Sequence, residues 1–328
     1  MRRRTALTAA AGLALSLTAC GSGGDSASGL NPSAGTPVTV NAGFIPVIDV
    51  AALYLGQQQG FFSSRGIKLD IKTAQGGAAL VPPVVSGEYQ FAFSNIVSVL
   101  AARDKGLPLR VIAAGSDSTG VAGKDVTMIR VLKNSRIKSA ADLEGKKVSV
   151  NTLDNLLQML GEVAVTADGG DPDRVNFVEL PFPDAITSLK KGDIDAMITA
   201  EPFDTIAAEG DTRVIASPYL EMAKTGLTTS VYCASEDQLK KNPKLFPALK
   251  AAIDESLAYA QAHPRETRAQ LASFMTIEAG VAQKVTLPTF SPKISKASVE
   301  AFAKAARAQG LIDNDISYSD LVWSGAAG

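Results

Sequence analysis

A strand–helix rhythm that runs twice along the chain constrains its fold more than any other feature. The alternating apolar stretch Val38-Thr39-Val40-Asn41-Ala42 is followed by a helical stretch over residues 49–59, closed by Gly60. Strand-like segments at 69–73, 89–93 and 110–113 then alternate with helical ones at 78–86 and 97–104. Strands separated by whole helices need crossover connections, which specifies a mostly parallel α/β sheet flanked by helices. The unit then recurs. Val148-Ser149-Val150-Asn151-Thr152 repeats the first strand, and Gly192-Asp193-Ile194-Asp195-Ala196-Met197-Ile198 repeats Gly87-Glu88-Tyr89-Gln90-Phe91-Ala92-Phe93 at nearly the same offset. Both matches occur in the same order, so two lobes built on one plan are expected.

The lobes are not consecutive. Residues 126–132 would carry the chain from the first lobe to the second, and residues 228–234 would bring it back. This assigns 38–125 and 226–328 to lobe 1, 126–225 to lobe 2, and two crossing strands to a hinge. The final third turns helical at 247–262, 264–274 and 296–308, and these helices are expected to cover lobe 1.

The N-terminus gives an address. Met1-Arg2-Arg3-Arg4 is a basic start, residues 6–17 are apolar and uncharged, and Leu17-Thr18-Ala19-Cys20 places small residues and a cysteine at a cleavage point. An apolar run this short cannot span a bilayer, so residues 1–19 read as an export signal that is removed. Residues 20–37, rich in Gly, Ser and Ala, read as a flexible linker. Of 328 residues, 46% are hydrophobic and the formal net charge is −1. That balance gives no basic surface for nucleic acid. The second cysteine, Cys233 in Thr229-Ser230-Val231-Tyr232-Cys233-Ala234, reads as a small buried hydrophobe in a strand.

Two resemblances follow. Leu17-Thr18-Ala19-Cys20 resembles the lipobox of bacterial lipoproteins, which implies diacylglyceryl attachment at Cys20 and a protein held outside the cytoplasm on the cell membrane. Gly60-Phe61-Phe62 with Gly66-Ile67-Lys68-Leu69, Gly76-Gly77-Ala78-Ala79-Leu80, Leu143-Glu144-Gly145-Lys146-Lys147, Glu201-Pro202-Phe203 and Asn242-Pro243-Lys244 resemble the type II solute-binding proteins. The similarity is to their nitrate, sulfonate, taurine and thiamine-pyrimidine group, and runs from about Val38 to Trp323. It implies the capture subunit of an ABC importer, whose two lobes close on a ligand and deliver it to a permease and its ATPase; a monomer is expected, and the expected cargo is a small organic solute, sulfonate- or taurine-like, pyrimidine-like or an aromatic acid. A ligand-sensing lipoprotein stays open as an alternative. So does a thiamine-pyrimidine-synthesising enzyme, against which the export signal argues.

In open α/β sheets ligands sit beyond the carboxyl ends of the strands. The candidate binding residues are therefore Pro46 and Asp49, Gly76 and Gly77, and Ser94 and Asn95 in lobe 1. In lobe 2 they are Thr152 and Asn155, Phe182, and Glu201, whose carboxylate would face the cleft. Each has a plainer reading: Asp49, Asp154 and Asp184 as helix caps, Gly76-Gly77 as a turn, Ser94-Asn95 as a cap, and Phe182 as core. These loops carry acids but no Lys or Arg, which suits a zwitterion or an aminopyrimidine better than a bare anion. Pyrimidine binders of the group tend to carry Asn and His after the loop proline. Here the loop reads Pro46-Val47-Ile48-Asp49, so a thiamine precursor is not supported there.

An enzyme finds little support. His263 is the sole histidine and precedes Pro264 at a helix end, which removes His triads and His metal clusters. Nucleophile-elbow, Walker and Cys-x-x-Cys patterns do not occur. Asp193 and Asp195 sit at a helix-to-strand junction, where a solvated role is expected. No cofactor and no metal is expected.

Overall fold

A computed structural model describes residues 29–33 and 35–327. The export signal, Cys20 and most of the linker lie outside the described residues. Leu30 of the linker is packed, in contrast to the flexible tether expected for all of 20–37, while residues 35–37 are exposed. The Leu30 N–H donates to Asn242 Oδ1 at 2.6 Å, and its side chain rests on the core.

Among the described residues ten strands form two five-stranded sheets. Lobe 1 holds β1 (Val38–Phe44), β2 (Ile67–Thr73), β3 (Phe91–Asn95), β4 (Leu109–Asp117) and β10 (Thr228–Ser235) in the order β2-β1-β3-β10-β4. Lobe 2 holds β5 (Ile129–Leu132), β6 (Lys147–Val150), β7 (Asn176–Glu179), β8 (Ala196–Ile198) and β9 (Thr212–Ala216) in the order β7-β6-β8-β5-β9. The two orders superimpose as one pattern, with β6 in the place of β1 and β8 in the place of β3. These are the pairs that the repeated sequences matched. β1 pairs in parallel with β2 and β3, and β6 with β7 and β8. Each sheet also takes one antiparallel strand, β10 or β5, so the sheets are mostly rather than wholly parallel.

β10 is buried along all eight residues, as a central strand covered on both faces must be. Its Cys233 is 2% exposed, and burial pushes the thiol up to about 12, leaving it an inert apolar filler. Helix Leu245–Ala262 lies against helix Ala51–Gln58. There Gly56 permits close approach, since a Cβ on it would stand 1.8 Å from Ser256 Oγ. Among the described residues no helix is long and apolar enough to cross a membrane.

The crossings differ from the expectation. Residues 129–132 and 228–235 belong to strands inside the two sheets, so the chain changes lobe just before each, over 118–128 and 217–227. These segments run side by side. The Ser118 N–H donates to the Leu227 carbonyl at 2.8 Å, and the Leu227 N–H donates to Ser118 Oγ at 3.0 Å. Gly120, at φ +69°, lies against the backbone of Thr225 and Gly226, where a Cβ would be 2.6 Å from the Gly226 nitrogen. Both the left-handed conformation and the contact call for glycine.

Candidate functional site

The carboxyl ends of the two sheets face each other, and the lobes touch across the cleft. Asn95 ends β3 and caps helix Ile96–Asp104, its Oδ1 accepting from the Ser98 N–H at 2.8 Å. Asn155 caps helix Leu156–Ala167 in lobe 2. Its Oδ1 accepts from the Leu156 N–H at 2.7 Å, from Ser98 Oγ at 2.7 Å and from Asn95 Nδ2 at 3.3 Å across the cleft. Thr152 is buried beside it, its Oγ1 accepting from Asn155 Nδ2 at 2.9 Å. Asn151 Nδ2 donates to the Gln75 carbonyl at 2.9 Å, a further bond between lobes.

Gly76 and Gly77 are more than a turn. Gly76 is extended, so its φ explains nothing, but a Cβ on it would stand 2.7 Å from Thr152 of the other lobe. A Cβ on Gly77 would stand 2.7 Å from both Ser94 Oγ and Ser98 Oγ. Helix Gly77–Ser86 starts without a side-chain cap, leaving first-turn N–H groups free for an acceptor. Ser94 is 1% exposed and sits behind Gly77, its hydroxyl without a partner among the described residues.

These elements enclose a cavity of about 60 Å3 between the lobes. Five of the residues expected from sequence line it: Asp49, Gly77, Asn95, Asn155 and Phe182. Pro46 instead lines an adjoining outer cavity, while Gly76, Ser94 and Thr152 form the layer behind the wall. Sequence reasoning missed Tyr219, Thr127, Thr229 and Ser230, which reach the cavity from the two crossing segments and from β10. It also missed Phe93 in β3, treated only as a strand residue. The sequence does place polar residues on those crossings, and that was the available signal.

Asp49 is the ionisable centre of the wall. It does not cap a helix: the short turn Ile48–Val50 has no side-chain cap, and Asp49 lies within it. Its Oδ1 accepts from Ser116 Oγ and, at 2.9 Å, from Ser230 Oγ. Burial pushes its carboxyl above the usual range, and the two serine hydroxyls oppose that rise. Tyr219, also buried, is raised by burial and by the charges of Asp49 and Asp125. No Lys, Arg or His lines the cavity among the described residues. Asp154 and Asp184 lie away from it, both exposed; Asn155 rather than Asp154 caps its helix.

Phe182 lines the cavity and is also buried, its ring stacked on Phe203 with centroids 4.8 Å apart. Glu201 overturns the sequence reading. It does not face the cleft but is 1% exposed, with its carboxylate consumed by three donors. Oε1 accepts from Thr205 Oγ1 at 2.8 Å and from the Thr286 N–H at 3.0 Å, and Oε2 from the Thr205 N–H at 3.1 Å. Its carbonyl accepts from the Ile48 N–H at 2.9 Å. Thr286 and Ile48 belong to lobe 1, so Glu201 ties the lobes together beside Asp49.

Burial, reinforced by the charge of Asp204, pushes Glu201 from an ordinary 4.5 up to about 7. The folded protein therefore keeps a proton that the unfolded chain releases between 4.5 and about 7. Stability is greatest below that window and falls as pH rises through it, by about 3 kcal/mol for this group. Burial raises Asp49, Asp117, Asp125 and Glu162 in the same sense. Glu201→Gln is expected to remove much of the slope in urea denaturation between pH 5 and pH 8. An unchanged slope would show that Glu201 does not titrate there.

A putative thiamine biosynthesis protein of Haemophilus influenzae is 26% identical over 83% of this chain and 87% of its own length. The bicarbonate-binding protein CmpA of a Synechococcus strain is 24% identical over 75% of this chain and 54% of its own. The alkanesulfonate-binding protein SsuA from Xanthomonas axonopodis pv. citri, solved with MOPS bound, shares the fold. It superimposes with a TM-score of 0.73 over 88% of this chain and 99% of its own, at 17% identity. The family model described as NMT1/THI5 like matches residues 47–267, and the chain belongs to that family.

Proposed function

We propose that the protein is the extracytoplasmic solute-binding subunit of an ABC importer, lipid-anchored at Cys20. Its two lobes close on a small organic solute carrying a protonated amine or an amidine-like donor, and pass it to a membrane permease. The observation that carries this reading is Asp49, a buried carboxylate on the wall of an interlobe cavity without a cationic side chain. A buried charge is costly unless paired, and a cationic or strongly donating ligand supplies the missing partner. Beside it, the uncapped helix N-terminus at Gly77 offers donors to a carbonyl, ring nitrogen or carboxylate on the same ligand. Both lobes contribute to the wall, so binding and closure are one event. The relatives named for bicarbonate and alkanesulfonate bind anions, whereas a bare anion here would face Asp49.

Native mass spectrometry of protein purified without denaturation tests this. The expected co-purified species is an organic molecule with a basic nitrogen, lost in Asp49→Asn. An inorganic anion retained by both proteins would overturn the reading.

A further inference from the structure

The inner cavity is too small for a whole organic solute. Its 60 Å3 is less than half of the ~150 Å3 that admits a benzene molecule. A second cavity of about 250 Å3 adjoins it, and Ile45, Asn151 and Phe182 wall both. Beyond these three the outer chamber is mainly apolar, with Pro46, Pro181, Pro183 and the Phe203 ring stacked on Phe182. Together the chambers reach the lower end of the ~300–1,000 Å3 usual for ligand sites.

Resting on the donor reading of Asp49, we infer that the outer chamber is a second subsite. It takes an apolar alkyl or aryl body whose amine head occupies the inner chamber. The partition consists of side chains from both lobes, so head and body are gripped by the same closure. Phe182 opens helix Phe182–Lys191 and Phe203 opens helix Phe203–Ala208, both in lobe 2, while Ile45 and Pro46 come from the loop after β1. The chamber therefore selects for body length and against polar tails, which would leave groups unpaired against proline and phenylalanine.

Calorimetric titration with propylamine and phenethylamine, which share a head and differ in body, tests the assignment. Wild type is expected to bind phenethylamine at least tenfold more tightly. Phe203→Ala should erase that advantage while leaving propylamine affinity unchanged. Gln75→Trp, a substitution at an exposed residue on the chamber wall, should block phenethylamine selectively and serves if Phe203→Ala does not fold. Equal affinities in wild type, or an advantage that survives in the folded variants, would overturn the subsite while leaving the Asp49 reading intact. Propylamine affinity unchanged in Asp49→Asn, or no binding of either amine, would overturn that reading and the subsite with it.

Discussion

Asp49→Asn is expected to weaken binding of an amine-bearing solute by roughly 30- to 150-fold, equivalent to ~2–3 kcal/mol for a charge-assisted hydrogen bond. Asparagine keeps an oxygen for the Ser116 and Ser230 hydroxyls and nearly the same volume, so the fold should survive. Without ligand the variant should be as stable as wild type or more so, because an uncompensated buried carboxylate has been removed. Opposite signs on binding and on stability distinguish a ligand anchor from a structural residue. The pH dependence follows. Burial raises the Asp49 pKa in the free protein, and only its carboxylate form pairs with a cation. Affinity should fall as pH drops through that pKa, and Asp49→Asn should abolish the acid limb. Equal affinity in the two proteins would remove Asp49 from the site.

The largest stability effect is expected at Arg130, behind the second lobe's half of the cleft. Its guanidinium grips Asp204 with two bonds, Nε to Oδ1 at 2.5 Å and Nη2 to Oδ2 at 2.8 Å, and both residues are buried. Thr199 Oγ1 also donates to Asp204 Oδ1 at 2.7 Å, and Arg130 Nη1 to Thr212 Oγ1 at 3.2 Å. Arg130→Met leaves Asp204 charged, buried and short of two donors, a loss of ~3–5 kcal/mol. Removing both charges in Arg130→Met/Asp204→Leu should recover much of it, because the intact pair also bears a desolvation cost. Urea denaturation of the three proteins measures this. A single variant as stable as wild type would mean that Asp204 finds another partner.

The fold was legible because its signals are local. The 2.0 and 3.6 periods, Gly60 and Gly87 after helices, and the β1/β6 repeat all lie within short windows. The crossings were displaced for a related reason: 129–132 of the first expected crossing and all of 228–234 are strands, but which sheet a strand joins depends on partners far along the chain. β10 lies between β3 and β4 through pairs such as Ser230 with Asn95 and Ser235 with Leu109.

The site divides along the same line. Asn95 and Asn155 were visible because an asparagine just before a helix, at the end of a strand or in the loop after it, is both a cap and a cleft residue. Asp49 carried the same local signature as a cap, and only the serines at 116 and 230 decide otherwise. Glu201 was misread because Thr286, 85 positions later, turns its carboxylate away from the cleft. Tyr219, Thr229 and Ser230 reach the cavity only once the second crossing is folded against the first.

Thermal unfolding in the presence of a solute panel tests the central claim most directly. Wild type and Asp49→Asn would be heated with primary amines, amino acids, aminopyrimidines, sulfonates, nitrate and bicarbonate. A solute at a hundredfold excess over its Kd should add ~2.7 kcal/mol, raising the melting temperature by about 5 °C. The expected result is such a rise with solutes bearing an amine or amidine in wild type, and its loss in Asp49→Asn. A rise with nitrate, bicarbonate or a simple sulfonate that is equal in both proteins would contradict it.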